Sequence, residues 1–357
     1  MNRLVLAINP GSTSTKFGVY SDDSIIFNET IRHSVEEISG YDRISEQFAF
    51  RKTLIMKALE KRKIPVGQIE AIIGRGGLLK PIESGIYEVN DLMKKDLAAG
   101  ERGEHASNLG GLIASDIALD IPGSRAFIVD PVVVDEFQDV ARLSGHPLLE
   151  RKSIFHALNQ KAVARTYAES VNAEYEELNL IVAHMGGGIS VGAHLKGRVV
   201  DVNNALNGDG PFSPERAGSL PAGQLVQLCF SGDYSEQDIM KMLTGNGGMV
   251  AYLGTNSFLD ICKKAESGDE KARLVSEASA YQIAKDIAAA AAVLRGRVDA
   301  IILTGGMAYE ESHVEYIKNM VSFIAEVVVY PGEDELKALA YSGLLALENK
   351  IQIKEYS

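Results

Sequence analysis

Apolar and polar positions along this 357-residue chain alternate in blocks that read first as strands. "LVLAINPGSTSTKFGVY", from Leu4, begins with an aliphatic run over 4–8, breaks at Asn9-Pro10-Gly11, and resumes as an aromatic and β-branched run over 17–20. Two such runs parted by a short hydroxyl-rich gap predict a hairpin, not a strand leading into a helix. A third strand is expected over 25–27. The pattern returns about half a chain later in "LIVAHMGGGISVGAHLKGRVVDVNNAL", from Leu180. There too an apolar strand ends in a polar residue before a glycine turn (His184, as Asn9 earlier). A strand carrying a glycine follows (Gly192, as Gly18), then a third strand over 199–202. A repeat of that spacing predicts two similar domains facing each other across a cleft rather than a solenoid.

Helical periodicity fills the intervals at 47–61, 106–119, 154–171 (with His156 near its start), 274–294 and 335–349. Between these lie the strands "IEAIIGRGG", "RAFIVDPVV", "AIILTGG" and "AEVVVYPG". Strands alternating with helices predict an α/β protein with mixed or parallel sheets and helices on both faces. The expected domains are 1–150, joined by the C-terminal helix 335–357, and 151–334. Ligands of such sheets sit beyond the carboxyl ends of strands. The loops "NPGSTSTK", "GRGG", "DPVVVDE", "HMGGG", "LTGG" and "YPGEDE" all follow strands.

Composition narrows the partners. Hydrophobic residues make up 46% and charged residues 24%, as in soluble proteins with large cores. The net charge of −12 repels phosphate backbones, so nucleic acid is not expected as a partner. An anionic small substrate would need local cationic pockets. Cys229 and Cys262 stand in no metal-ligand spacing and read as reduced, buried thiols of a cytoplasmic protein. Asn9-Pro10-Gly11 breaks the first apolar run before it could act as a signal-peptide core, and no run reaches the length of a membrane span.

The chemistry-bearing residues cluster in the strand-end loops. "GSTSTK" lacks the second glycine that a Walker A loop places before its lysine. Ser12, Thr13 and Ser14 can still donate to phosphate oxygens, with Lys16 as a point charge. A plain surface turn is the competing reading. The matching turn "AHMGGG" favours phosphate, because Gly186, Gly187 and Gly188 let backbone N–H groups approach an anion beside His184. Arg75 and Arg216 have small neighbours, so their guanidinium groups suit a substrate with its own negative charge or a transferring phosphoryl group. Asp130 ends a strand where α/β enzymes keep a metal-linked carboxylate, with a helix N-cap as the alternative. Glu333, Asp334 and Glu335 follow another strand end, and two carboxylates from opposite domains could hold Mg²⁺ through water.

Taken together, "NPGSTSTK", "FH" (Phe155-His156), "AHMGGG" and "LTGG" resemble the acetate kinase family over nearly the whole chain. "HASNLGGLIA", "VYPGEDE" and "FHALNQ", which stands where acetate kinases read "FHGTSH", resemble the butyrate-phosphorylating branch most closely. The resemblance implies duplicated ribonuclease H-like domains of the sugar kinase and actin superfamily. It also implies MgATP-dependent phosphorylation of a short-chain fatty acid, butyrate first, with isobutyrate, propionate and acetate as alternatives. Asn9, Ser12, Ser14, Lys16 and Gly186 to Gly188 would then hold phosphates, and Gly305 and Gly306 the adenosine. Arg75, Arg216, His184, His156 and Asp130 would be catalytic, and Asp130 with Asp334 or Glu333 metal-linked. Gly76-Gly77 and Ala106, where acetate kinases carry larger residues, imply room for extra methylenes, with Phe155 beside them. The family also implies a homodimer or higher homo-oligomer. A carboxylate acceptor is ionised at neutral pH and needs no general base. A sugar kinase does need one, and it remains the rival class beside a non-enzymatic actin-like ATP binder.

Overall fold

The computed structural model describes every residue except Met1, Asn2, Asp23 and Asp42. The chain divides into two compact units, Met1–Val134 with Asp334–Ser357, and Asp135–Glu333. Residues 135–150, expected with the first domain, pack with the second unit. Gln138 N donates to Val200 O, and Arg151 Nη1 donates to Ala141 O.

The first unit starts with an antiparallel meander, β1 (Leu4–Pro10), β2 (Ser14–Ser21) and β3 (Ser24–Arg32). Strand β4 (Ile69–Arg75) then pairs parallel to β1, and β6 (Arg125–Val129) parallel to β4, with the short β5 (Ile86–Glu88) antiparallel on β6. Every residue of β1 is buried, because both faces of the sheet are covered. On one face Leu6, Ile8 and Phe17 meet Ile55 and Leu59 of helix Phe48–Lys61 and Ile113 and Ile117 of helix Asn108–Leu119. On the other lies helix Glu335–Leu347, whose Gly343 sits against Val5 and Ile73.

The second unit repeats this plan. Strands β7 (Asn179–Met185), β8 (Ile189–Leu195) and β9 (Arg198–Val202) form the meander, β10 (Ala300–Gly305) pairs parallel to β7, and β11 (Val327–Pro331) parallel to β10. The likeness extends to irregularities. The β2/β3 ladder slips between Val19 and Tyr20, and the β8/β9 ladder between Ala193 and His194, each just after the strand glycine. Helix Ala157–Ser170 covers one face with Ala164, Tyr167 and Ala168. Helix Glu270–Val293 covers the other with Ile283, Ala284 and Ile287. The chain then returns to the first unit, where β12 (Ile353–Lys354) adds beside β5.

Two expectations change here. His156 is the residue before helix Ala157–Ser170, three positions later than its periodicity suggested. Cys262 is buried, with its thiol pushed up to about 12 by burial, but Cys229 is exposed at the end of helix Ala222–Cys229, which buries none of its residues. Among the described residues no helix is long and apolar enough to cross a membrane.

Candidate active site

Each unit gathers its own set of predicted residues at the carboxyl ends of its strands. In the first unit the register pairs Ile8 with Gly74 and Arg75 with Val129. Asn9, Arg75 and Asp130 therefore stand at one edge on three adjacent strand ends, about 4.8 Å from strand to strand. Asn9 is buried, and its Nδ2 donates to Glu335 in a short contact. Arg75 Nη1 donates to Asn9 Oδ1 at 3.3 Å and to Glu335 Oε2 at 3.2 Å. Among the run of three acids, Glu335 is thus the one that reaches Asn9 and Arg75. Asp334 is exposed and caps helix Glu335–Leu347, its Oδ1 accepting from Lys337 N at 3.2 Å.

Asp130 is buried with φ of +36°, a strained backbone for a non-glycine residue, and no helix starts after it, so it is not an N-cap. Its Oδ1 accepts from Ser84 Oγ at 2.6 Å and Gly85 N at 2.8 Å, which fixes the carboxylate. Strain held by such contacts marks functional positions more often than neutral ones.

The opening hairpin is closed by Gly11 N donating to Ser14 O. Ser12 and Lys16 are exposed, and Lys16 pairs with Asn9 across the ladder. The turn is held by a residue the sequence reading missed. Arg51, fully buried, donates to Gly11 O at 2.7 Å, Ser14 O at 3.0 Å, Ser12 O at 3.0 Å and Thr15 Oγ1 at 3.1 Å, with Gln47 Oε1 taking the rest of its fork. A signal existed. Arg51 lies on the same helical stripe as the core residues Ile55 and Leu59, where a charge needs partners.

In the second unit the turn 186–188 joins β7 to β8. The missing side chain at Gly188 leaves the space that the Arg216 guanidinium occupies. Arg216 is anchored by a short hydrogen bond to Ala205 O, and Ser213 Oγ donates to Gly187 O at 2.6 Å. A Cβ on Gly186 would point at His184 Nε2 and Glu333 Oε1, both 3.0 Å away. His184 and His156 stack with ring centroids 3.8 Å apart. His184 Nδ1 lies 2.7 Å from Asn159 Oδ1. Its Nε2 is 3.1 Å from Glu333 Oε1, at ion-pair distance yet not aligned as a hydrogen bond. Glu333 therefore keeps company with His184. Gly305, with φ of +90°, ends β10 against the Met185 backbone, while a Cβ on Gly306 would meet nothing within 4 Å.

Gly76 and Gly77, expected to leave room for methylenes, are closely packed. A Cβ on Gly77 would lie 2.3 Å from Asn108 Oδ1 and 2.5 Å from Asn108 Cα, and one on Gly76 2.5 Å from Pro131 Cβ. The space a side chain would take at these glycines is already filled by Asn108 and Pro131. Ala106 and Phe155 are both buried.

A family model described as the acetokinase family matches residues 140–328. Butyrate kinase 2 of Clostridium acetobutylicum is 57% identical over 352 residues, 99% of each chain. Similar solved structures include the acetate kinase of Porphyromonas gingivalis (TM-score 0.79, 19% identity, 97% of this chain and 100% of that one). The propionate kinase of Francisella tularensis is another (TM-score 0.72, 17% identity, 96% and 99%). The fold is that of duplicated actin-like kinase domains. The chain belongs to the acetokinase family.

Proposed function

We propose that this protein transfers the γ-phosphoryl group of ATP reversibly to a short-chain fatty acid, butyrate foremost, giving an acyl phosphate and ADP. The observation that carries this reading is the 57% identity, over 99% of both chains, with a butyrate kinase. In this reading Ser12, Ser14, Lys16 and the turn 186–188 receive phosphate oxygens, and Gly305 and Gly306 the adenosine. Arg75, Arg216 and His184 counter the charge that builds on the transferring group, and His156 contributes a ring nitrogen beside them. Transfer is direct and in line, because a carboxylate acceptor needs no base to remove a proton.

Among the described residues no group of three or more His, Cys, Asp or Glu is arranged to hold a metal by itself. The oxygen donors of the first unit nonetheless fit Mg²⁺, a hard cation that keeps several waters and is shared with phosphates. Asp130, held by Ser84 and Gly85, and Glu335 are the carboxylates that would hold it. When bound, the ion neutralises phosphate charge. Homo-oligomerisation belongs to the same proposal, with sedimentation as its check.

The test is acyl-phosphate formation from ATP, trapped as hydroxamate, across straight and branched acids from two to six carbons, with a sugar panel as control. Product from butyrate above all other acids supports the reading. Phosphorylation of a sugar alone would refute it.

A further inference from the structure

We propose that Gln160 is a positioning residue: acting through Ser190, it fixes His156 as the tautomer with its hydrogen on Nε2. The inference rests on the reading above for His156's place in the reaction. Its structural part stands on a chain of buried hydrogen bonds in the second unit whose polarity can be worked out atom by atom.

The fixed point is the Ser190 carbonyl, which can only accept. The Gln160 side-chain atom 3.0 Å from it must therefore be the NH₂ group, which also donates to Ser190 Oγ at 2.8 Å. Gln160 Oε1 is then the acceptor facing His194 Nε2 at 2.9 Å, so His194 carries its hydrogen there. His194 Nδ1 is left to accept from the Tyr175 hydroxyl at 2.7 Å. One hydrogen on His194 satisfies both contacts. Complete burial, which holds its imidazole well below its ordinary pKa, agrees with a neutral ring.

The same polarity runs toward the site. Ser190 Oγ already accepts from Gln160, and Ser190 has no exposed surface. Among the described residues, the acceptor that its hydroxyl hydrogen meets is His156 Nδ1 at 2.9 Å. Were Nδ1 protonated instead, that hydroxyl hydrogen would be buried without an acceptor. His156 therefore accepts at Nδ1 and presents an N–H at Nε2. The stacked ring has its own partners: His184 Nδ1 lies 2.7 Å from Asn159 Oδ1 and Nε2 3.1 Å from Glu333 Oε1. Gln160 and Asn159 act on the two rings from adjacent positions on helix Ala157–Ser170. An orienting partner that selects a tautomer works without touching substrate.

The experiment is nitrogen-15 NMR of the full chain labelled at histidine, with His156 assigned by the loss of its signals in His156→Asn, together with steady-state kinetics. The wild type should show a bare Nδ1 and a protonated Nε2 at His156. Gln160→Met removes both amide contacts, so the tautomers should mix. We expect kcat to fall about tenfold to a hundredfold while KM for butyrate stays within about twofold. Ser190→Ala should reproduce both changes, and it decides the matter if Gln160→Met does not fold. Tyr175→Phe, at the far end, should have the smallest effect on kcat. A protonated Nδ1 in the wild type overturns the proposal, as does a kcat loss in Gln160→Met or Ser190→Ala with the His156 signals unchanged. Absence of butyrate phosphorylation by the wild type would instead refute the functional reading and leave the tautomer result standing.

Discussion

The two glycine-bearing hairpins occupy the same place in a repeated fold, yet they are built on opposite plans. The first, 10–15, carries hydroxyl side chains and spends its carbonyls on one buried cation, Arg51, which ties down Gly11, Ser12 and Ser14 at once. The second, 185–189, carries no side chains through its turn. It is held by Gly186 N to Gly188 O and by Ser213, with Arg216 occupying the volume Gly188 leaves vacant. In the first unit the hairpin supplies donors and a distant residue supplies rigidity. In the second the hairpin supplies only backbone and open space, and its neighbours supply the charge. Duplication preserved the ladder slip and the strand glycines while the polar groups were redistributed, so topology and chemistry are separable here.

The strongest way to break this comparison is to remove the arginine of each set. Arg75→Ala and Arg216→Ala are each expected to lower kcat about a hundredfold to a thousandfold. KM for ATP should rise only a few-fold, since the turns proposed to receive phosphate remain. Equal losses in kcat and nucleotide affinity would reassign either residue to binding. Lysine at either position should not restore the rate, because the fork geometry is lost.

Acid should separate the units next. His313, in the second unit, is buried with neither ring nitrogen partnered, and burial brings its imidazole down to about 4. The unfolded chain takes up this proton near pH 6.5, so the contribution is complete above that pH and is lost as pH falls toward 4, by about 3 kcal/mol. His194 adds to it in the same direction. His33, in the first unit, is also lowered, but it is less deeply buried. Urea unfolding near neutral pH and near pH 4 should show the loss, and His313→Phe, packed edge-on to Phe258, should remove most of it. An unchanged acid slope in that variant would exclude His313 as its source.

Arg51→Met tests whether the first hairpin depends on its hidden cation. The part-buried carbonyls of Gly11, Ser12 and Ser14 would lose their donor. We expect about 3 kcal/mol of destabilisation and a raised KM for ATP. Arg51→Lys should recover little of either, because one ammonium cannot span carbonyls that a planar fork reaches together.

What the sequence revealed and what it hid divide along physical lines. The meanders, the half-chain repeat and the strand-end loops were legible because alternating hydrophobicity and Gly-rich gaps leave local signatures. The short helices Ala222–Cys229, Glu236–Leu243 and Met249–Leu253 were not, since a few residues broken by Gly, Ser and Pro show too little periodicity. At 333–335 three adjacent acids are indistinguishable until the helix begins, because each step rotates a side chain by about 100°. Only the structure turns Glu335 inward. Gln160 and Arg51 were hidden for a different reason: their partners lie 30 to 40 residues away along the chain.

The smallest effect concerns chain-length preference, where Gly77 and Ala106 now part company. Smallness at both positions suggested room for methylenes, but Asn108 fills the space beside Gly77. Gly77→Ala should therefore cost stability while leaving the ratio of butyrate to acetate turnover unchanged. Ala106 is buried and already carries a Cβ. Ala106→Val should displace about one methylene of bound acid, worth about 0.8 kcal/mol, and so lower the preference for butyrate over acetate about fourfold. The ratio of kcat/KM for the two acids in each variant measures this directly. A fourfold shift in Gly77→Ala with none in Ala106→Val would restore the glycine to the pocket and move the alanine out of it.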